Sequence, residues 1–529
     1  MDVQPIYIGG QWRQSNYLDV FQATNPRTGA KLPDYFPISG WEDLREALEK
    51  ALQVVPELAS SGPEKIAGFL EKFAQLIEEK KDIISQIASL ETGLPQKPRF
   101  SDVELPRTTD QLRQAAAVVR EKSWCQATID TKKNIRSKYG PLGGAVLVIG
   151  PNNFPLAFNA MAGGDMAAAL AAGNPILAKA HPLHPKTTQL LAQAAAQALE
   201  ESQLPSGSIQ LIYHFRPEDG LKAIAHPAIA AVGFTGSRST GLAIKEAAEK
   251  AGKLAYLEMS SINPVFLLPG AIQERGEAIA QEFFSSCLLG NGQFCTNPGF
   301  VILLEGKETQ EFINRCVKLF QASDPGYLLS EQIKINLAKG IKDCLTSGAQ
   351  LLCGGYPLEG PGFRFAPTLL LVQGEIYLPK PQVFQREMFG PVSLLVLGQD
   401  EEQVAKIAIS LEGNLTASFY THSQGKDEAL YQQLEPIIRL KVGRLLNDKM
   451  PTGVAVTPAM MHGGPYPATG HPGFSSVGFP ASILRFAARH GYDQVPQHRL
   501  PPELQDKNPT GHMWRYIDGQ WTQASITKD

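Results

Sequence analysis

The order of apolar and polar positions divides the chain into regions of different period. Trp41, Leu44, Leu48 and Leu52, and then Ile66, Phe69, Leu70, Phe73, Leu76 and Ile77, recur at steps of three and four. That spacing gathers apolar side chains on one face of a helix, so two amphipathic packing helices are predicted in the N-terminal quarter. From Gly144 the texture changes. The short apolar runs "AVLVIG", "PILAKA", "IQLIY", "AIAAVGF" and "LAYLEM" alternate with alanine-rich or helix-periodic stretches at about the spacing of strand-helix-strand units. This predicts an open parallel sheet covered by helices on both faces. From Glu258 to about residue 460, helical periodicity around 273–289 and 306–321 accompanies the strand candidates "PGFVILL" and "VSLLVLG", predicting a second α/β domain. The stretch "VPQHRLPPELQDKNPT" (495–510) is proline-rich and polar and reads as an extended connector. Beyond it, "YIDGQW" (516–521) echoes "YIGGQW" (7–12). Both are hairpin-like signals around a D-G or G-G turn, and chance likeness between two turns is the simpler reading.

Length and charge narrow the class. A chain of 529 residues exceeds one ordinary core, so at least two packed units are expected. Lys and Arg number 49 against 52 Asp and Glu, for a net charge of -3, and no segment gathers one sign. Nucleic acid and anionic lipid are thereby poor partners. The start "MDVQPIYIGGQWRQS" has no basic or apolar leader region, and the strongest apolar stretch is cut short by "PNN". A soluble cytoplasmic protein without membrane span is expected. Six cysteines (Cys125, Cys287, Cys295, Cys316, Cys344 and Cys353) are too few and too irregular for a disulfide framework, and no C-x-x-C pair suggests zinc.

Five stretches can carry chemistry. "GNGQFCTNPG" (290–299) sets Cys295 among residues that let a backbone come close to a ligand, although a lone cysteine is more often a buried structural thiol. "GPNNFPL" (150–156) follows a strand directly, which puts Asn153 at a carboxyl strand end where open α/β folds bind ligands. Its amide could serve an oxyanion, or it could be a turn asparagine. "VGFTGSRSTG" (232–241) ends a strand and opens a helix, so Gly233, Gly236 and Ser237 lie where backbone N–H groups can receive a pyrophosphate, though without the G-x-G-x-x-G spacing. "YLEMSSINP" (256–264) places Glu258 at a strand end, where partial burial would raise its pKa toward that of a general base; an exposed strand-end carboxylate is the plain alternative. "EMFGPV" (387–392) sets Glu387 and Phe389 beside a tight turn, as a ribose acceptor and a ring-packing face require.

In chain order the stretches, together with the strand ending in Lys179, resemble the aldehyde dehydrogenase superfamily from roughly residue 5 to residue 490. "NFPLAFNAMAGGDMAAALAAGNPILAKAHPLHP", "EMSSINPVFLLPGA", "GQFCTNPG" and "PTGVAVTPAMMHGGPYPAT" are similar to the branch holding 2,5-dioxovalerate (α-ketoglutarate semialdehyde) dehydrogenases and NADP-dependent fatty aldehyde dehydrogenases. The resemblance implies an α/β fold with a Rossmann-type dinucleotide-binding domain (1–123 and 141–258) and a catalytic domain (259–462). It also implies a small β oligomerisation element (124–140 and 463–494), followed by a C-terminal extension (495–529). It implies that Cys295 attacks an aldehyde, that Asn153 and the Cys295 N–H hold the oxyanion, and that Glu258 activates the water that hydrolyses the thioester, with no metal. Lys179 and Glu387 then bind the adenosine and nicotinamide ribose hydroxyls, Ser237 the pyrophosphate, and Phe389 packs near the nicotinamide. A homodimer or a dimer of dimers is expected.

Three departures stand out. "LEMSSI" puts Ser260 and Ser261 where the family has glycines, and "TGHPGFSSVG" (469–478) carries no arginine for a substrate carboxylate. Three residues after Lys179, where NAD-selective members carry a carboxylate, stands Pro182. With Lys179 and either His181 or His184 close by, this predicts use of both NAD and NADP with a lean toward NADP. A cysteine hydrolase would need a histidine, and His226 and His422, the nearest in sequence on either side of the cysteine, lie in no recognisable active-site context. A non-catalytic dinucleotide-binding relative would have no reason to keep Cys295, Glu258 and Asn153 together, and a CoA-acylating dehydrogenase none to keep Glu258.

Overall fold

The computed structural model describes residues 2–527; residues 1 and 528–529, the outer ends of the first and last spans above, lie outside the described residues. The five apolar runs after Gly144 form the strands Ala145–Ile149, Ile176–Lys179, Ile209–Ile212, Ile229–Thr235 and Leu254–Glu258. They lie parallel in the order Leu254–Glu258, Ile229–Thr235, Ala145–Ile149, Ile176–Lys179, Ile209–Ile212, and the hairpin Ile6–Ile8/Gln11–Arg13 closes the last edge antiparallel. From Ala145–Ile149 the chain moves outward one way, then returns to begin again on the other side with Ile229–Thr235. A crevice opens at such a reversal, beyond the carboxyl ends of the strands.

Among the described residues of the N-terminal quarter there are four α-helices, not two: Trp41–Ser60, Pro63–Glu79, Lys81–Thr92 and Leu105–Glu121, with a π-helical stretch Gln96–Glu104 before the last. The first two bury the predicted stripe, including Leu44, Leu48, Phe69, Phe73 and Ile77, while Leu52 stays exposed. The other two bury stripes rich in small or hydroxylated residues, Ser85, Ala88, Ser89 and Thr92 in one and Thr108, Thr109, Ala115 and Ala116 in the other, which weakens the apolar period.

A second seven-stranded sheet has the order Gln350–Cys353, Thr368–Gln373, Val392–Gly398, Phe300–Leu304, Pro264–Leu267, Asn414–Tyr420, Val442–Asn447, with only the first strand antiparallel. The predicted helices are Pro269–Leu288 and Lys307–Gln321.

A five-stranded sheet runs Ala487–Asp493, Ile135–Pro141, Thr128–Asp130, Arg515–Ile517, Gln520–Thr522. It changes two expectations. Within 463–494 only Ala487–Asp493 is strand; residues 463–480 instead lie against Glu258, with the Met259 N–H donating to Ala468 O at 2.7 Å and the Gly470 N–H to Leu257 O at 3.1 Å. The tail, in turn, is no loose connector. Leu500, Leu504 and Met513 pack on Cys125, Ala127 and Ile129, and buried Glu503 accepts from Lys122 Nζ at 2.8 Å and Lys138 Nζ at 2.7 Å. The repeated hexapeptide encodes one structure twice. Tyr7 faces Trp12 and Tyr516 faces Trp521 across equivalent hairpins, with ring centroids 5.1 and 5.4 Å apart. Both turns have two residues of positive φ, Gly9–Gly10 and Asp518–Gly519.

Candidate active site

A cleft of about 980 Å³ is lined from both large sheets, at the upper end of what small ligands and cofactors occupy. Asn153, Lys179, Gly236, Ser237, Glu258, Cys295, Glu387 and Phe389 all line it. Gly233 does not. It lies inside the strand Ile229–Thr235, where a Cβ would stand 2.8 Å from Asp165 Oδ2 and 3.2 Å from Phe486 Cζ, so this glycine serves packing rather than a ligand.

The reversal of strand order explains how the first-sheet residues meet. Asn153 follows Ala145–Ile149, and Ser237 follows Ile229–Thr235 as N-cap of the helix Arg238–Lys250, its Oγ accepting from Thr240 N–H at 3.3 Å. The positive end of that helix, with Ser237, Ser239 and Thr240, faces the cleft. Lys179 ends the neighbouring strand, and burial pulls its pKa down to about 8. Burial first, then the neighbouring His184, Lys179 and His214, hold the His181 pKa well below its ordinary value. Of the two candidate donors only His181 lines the cleft; His184 is buried, its Nε2 2.9 Å from Pro151 O.

The cysteine loop is fixed from two sides. Gly290, Asn291 and Gly292 all have positive φ, and a Cβ on Gly292 would stand 2.0 Å from Gly390 O. Only glycine allows this close approach of the cysteine loop to the turn that carries Glu387 and Phe389. Asn263 Nδ2 donates to Cys295 O at 2.8 Å and to Asn297 O at 2.9 Å. Ser261, one of the two serines in place of glycine, is built into this support: Leu415 N–H donates to its Oγ at 3.0 Å, and its hydroxyl lies 2.9 Å from Asn263 Oδ1 and 3.1 Å from Asn414 Oδ1. Asn153 Nδ2 donates to Gln293 O at 2.9 Å, which leaves its second amide hydrogen for another acceptor.

Sequence reasoning missed His462. It is buried, and its Nε2 lies 2.9 Å from Glu258 Oε1 and 3.7 Å from Cys295 Sγ. Ser476 Oγ donates to the other Glu258 oxygen at 2.9 Å. Burial alone would raise the Glu258 pKa, but the imidazole of His462 and the two hydrogen bonds outweigh it and hold the carboxyl below its ordinary value. This reverses the expected upward shift. Burial, followed by the charges of Glu258 and Glu387, pushes the Cys295 thiol well up, so the resting group is a thiol rather than a thiolate. Glu387 is pushed up to about 7 by burial, against hydrogen bonds from Ser260 and the Ser261 N–H.

The sequence model of the aldehyde dehydrogenase family matches residues 12–458. The α-ketoglutaric semialdehyde dehydrogenase 2 of Azospirillum brasilense is 37% identical over 497 residues, covering 90% of this chain and 91% of that protein. The α-ketoglutaric semialdehyde dehydrogenase of Acinetobacter baylyi is 34% identical over 493 residues, covering 91% and 92%. Among solved structures, the lactaldehyde dehydrogenase of Escherichia coli superposes with a TM-score of 0.80 at 24% identity, over 93% of this chain and 98% of that one. The chain belongs to the aldehyde dehydrogenase family. Its reaction is the NAD(P)-dependent oxidation of an aldehyde. Among the described residues no helix is long and apolar enough to cross a membrane.

Proposed function

We propose that Cys295 is the nucleophile of this oxidation, with Glu258 the base that activates water and His462 the residue that positions Glu258. The observation that carries this is the meeting of Cys295 Sγ, Glu258 and His462, whose ligand atoms all lie within 4.8 Å of one another beside the cleft. A dinucleotide fits the residues present. The helix N-terminus at Ser237 would hold the pyrophosphate, Lys179 and Glu387 the two riboses, and Phe389 would offer a ring face to the nicotinamide end. When bound, the nicotinamide accepts a hydride from the aldehyde carbon.

The rest of the chemistry belongs to the chain. The Cys295 thiol passes its proton to the Glu258 carboxylate beside it, which releases it to solvent before deacylation, and the sulfur adds to the carbonyl carbon. The free Asn153 amide hydrogen and the Cys295 N–H receive the oxyanion, donors that can each contribute a few kcal/mol because they act in the transition state. After hydride loss the acyl group is a thioester on Cys295. Glu258 takes a proton from water, the hydroxide adds to the thioester, and the sulfur leaves as the carboxylic acid forms. His462 supplies the histidine that a cysteine hydrolase would need, but a hydrolase would leave the cleft at Lys179, Gly236 and Ser237 without a task, and with Glu258 buried beside the sulfur acyl transfer to coenzyme A has no observation in its favour.

The names of the 37% and 34% identical relatives support α-ketoglutarate semialdehyde (2,5-dioxovalerate), an ω-carboxylated aldehyde, as substrate. Pro182, which carries no negative charge where NAD-selective members carry a carboxylate, supports with Lys179 and His181 in the cleft a lean toward NADP. Six free cysteines support a cytoplasmic setting. The unpaired outer edges of Ala487–Asp493 and Val442–Asn447 support a homo-oligomer, a dimer or a pair of dimers. Replacement Cys295→Ser tests the reading: turnover should vanish while dinucleotide binding, measured by titration, stays within about threefold. Substantial residual turnover would remove Cys295 from the chemistry.

A further inference from the structure

Two guanidinium groups near Cys295 have no carboxylate partner. Arg107, on the helix Leu105–Glu121, donates through Nη1 to Val454 O at 2.8 Å, while its Nε and Nη2 are buried without a hydrogen-bond partner. These two atoms form one edge of the guanidinium, the fork that takes a carboxylate through two parallel bonds. Its charged carbon lies 5.2 Å from the Phe158 ring centre and 5.8 Å from that of Phe154. The Phe158 ring is 6.0 Å from that of His462, which reaches the Cys295 sulfur.

Arg444, on the strand Val442–Asn447, donates only to carbonyl oxygens among oxygen acceptors, Pro451 O at 2.9 Å and Gly453 O at 3.1 Å, and its Nε is also buried and unpartnered. The Gly453 N–H in turn donates to Thr296 Oγ1 at 3.2 Å, one residue from the nucleophile. Both arginines therefore converge on residues 451–454, and neither lines the cofactor cleft. Arg99 is paired with Glu104 at 3.1 Å, Arg136 with Asp506 at 2.8 Å and Arg485 with Asp165 at 2.8 Å, while fully buried Arg515 donates only to the carbonyl oxygens of Gln505, Asp506 and Ala524; of these arginines Arg107 alone has a whole edge, Nε and Nη2, without a partner. Burial lowers the pKa of both Arg107 and Arg444; against it the Glu104 carboxylate acts first on Arg107, and the Cys295 site acts on both arginines, which sets both within reach of the reacting centre. A buried charge left without a counter-ion is costly, and an anion that arrives with the substrate removes the cost.

We propose that Arg107, with Arg444 beside it, receives the distal carboxylate of an ω-carboxylated aldehyde whose carbonyl carbon stands at Cys295. This rests on the reading of Cys295 as nucleophile. It supplies from a helix and a strand the cation that residues 469–478 lack, and the receptor is a fork on Arg107 rather than a diffuse positive patch. Anchoring the 451–454 segment is the structural alternative, and it makes no distinction between charged and uncharged substrates.

The test compares kcat/KM for succinic semialdehyde with that for butanal, one cofactor throughout, in the wild type and in Arg107→Met, Arg107→Lys and Arg444→Met. The wild type should prefer the acid, and Arg107→Met should lower the acid-to-neutral ratio at least about 30-fold, as loss of one partner of a desolvated charge pair does. Arg107→Lys should recover part of the ratio, since it restores the charge but not the fork, and Arg444→Met should lower it by less. Equal losses on both aldehydes, or no preference in the wild type, would overturn the proposal. Independently of turnover, glutarate should raise the melting temperature of the wild type and leave that of Arg107→Met unmoved. If no aldehyde is oxidised, the reading of Cys295 fails while the glutarate measurement still decides the arginines, and no glutarate stabilisation of the wild type counts against them.

Discussion

Replacing His462 by alanine isolates the contact that the sequence concealed. His462 Nε2 is 2.9 Å from a Glu258 carboxylate oxygen in a place where only 5% of the Glu258 surface remains exposed. Its removal leaves burial opposed only by Ser476 and Cys295, so the Glu258 pKa must rise. A hydrogen bond to a charged group contributes about 1.5–3 kcal/mol. At about 1.36 kcal/mol per pH unit, that is a rise of roughly one to two units. Because Glu258 acts as a base only when ionised, the acid limb of the hydrolysis rate should move to higher pH by the same amount. Deacylation should be slower than in the wild type on the acid side and approach the wild-type rate well above the new limb. Single-turnover decay of the acyl-enzyme, followed from about pH 5 to about pH 9, reads this directly, and Ser476→Ala should move the limb the same way by less. An unmoved limb, or a loss of rate by one factor at every pH, would refute the coupling. Disappearance of the limb would assign it to His462 itself.

Cofactor choice should depend on pH. Lys179, with its pKa pulled down to about 8, is a cation below that value, so the preference for NADP over NAD should weaken as pH rises through about 8; a ratio of kcat/KM values constant across this range would exclude Lys179 as a phosphate partner. The tail should be held by charge. Burial would raise the Glu503 pKa, but Lys138 and Lys122 hold it down to about 2, below the ordinary 4.5. A depressed pKa means stability that is present above about 4.5 and lost as pH falls toward 2, so Glu503→Gln should cost about 3 kcal/mol of tail docking at neutral pH. Hydrogen exchange across residues 500–522 should quicken in that variant, and unchanged protection would show that the apolar contacts alone hold the tail.

The strands were legible because uninterrupted apolar runs of four to seven residues have few other uses, and Asn153 and Ser237 were legible because each directly follows such a run. Lys81–Thr92 and Leu105–Glu121 were hidden by stripes in which alanine, serine and threonine are buried among the apolar residues. Gly233 was misjudged because what occupies its missing side-chain space, Asp165 and Phe486, comes from distant parts of the chain. His462 stands 167 residues from Cys295 and 204 from Glu258, in a stretch of glycines and prolines with no period, so proximity in sequence pointed to the wrong histidines. The tail was read from its prolines, whereas its docking depends on Lys122 and Lys138, which carry no signal of a partner more than 360 residues away.

The central claim is a thioester on Cys295 that Glu258-activated water hydrolyses. Glu258→Gln, mixed with aldehyde and NAD(P) and stopped within one turnover, should show a burst of reduced cofactor and an intact protein heavier by one acyl group, mapped by peptide mass to residues 290–299. His462, 3.7 Å from the sulfur, is then the proton acceptor that keeps acylation alive. A burst without the adduct, or an adduct on another residue, would contradict the account.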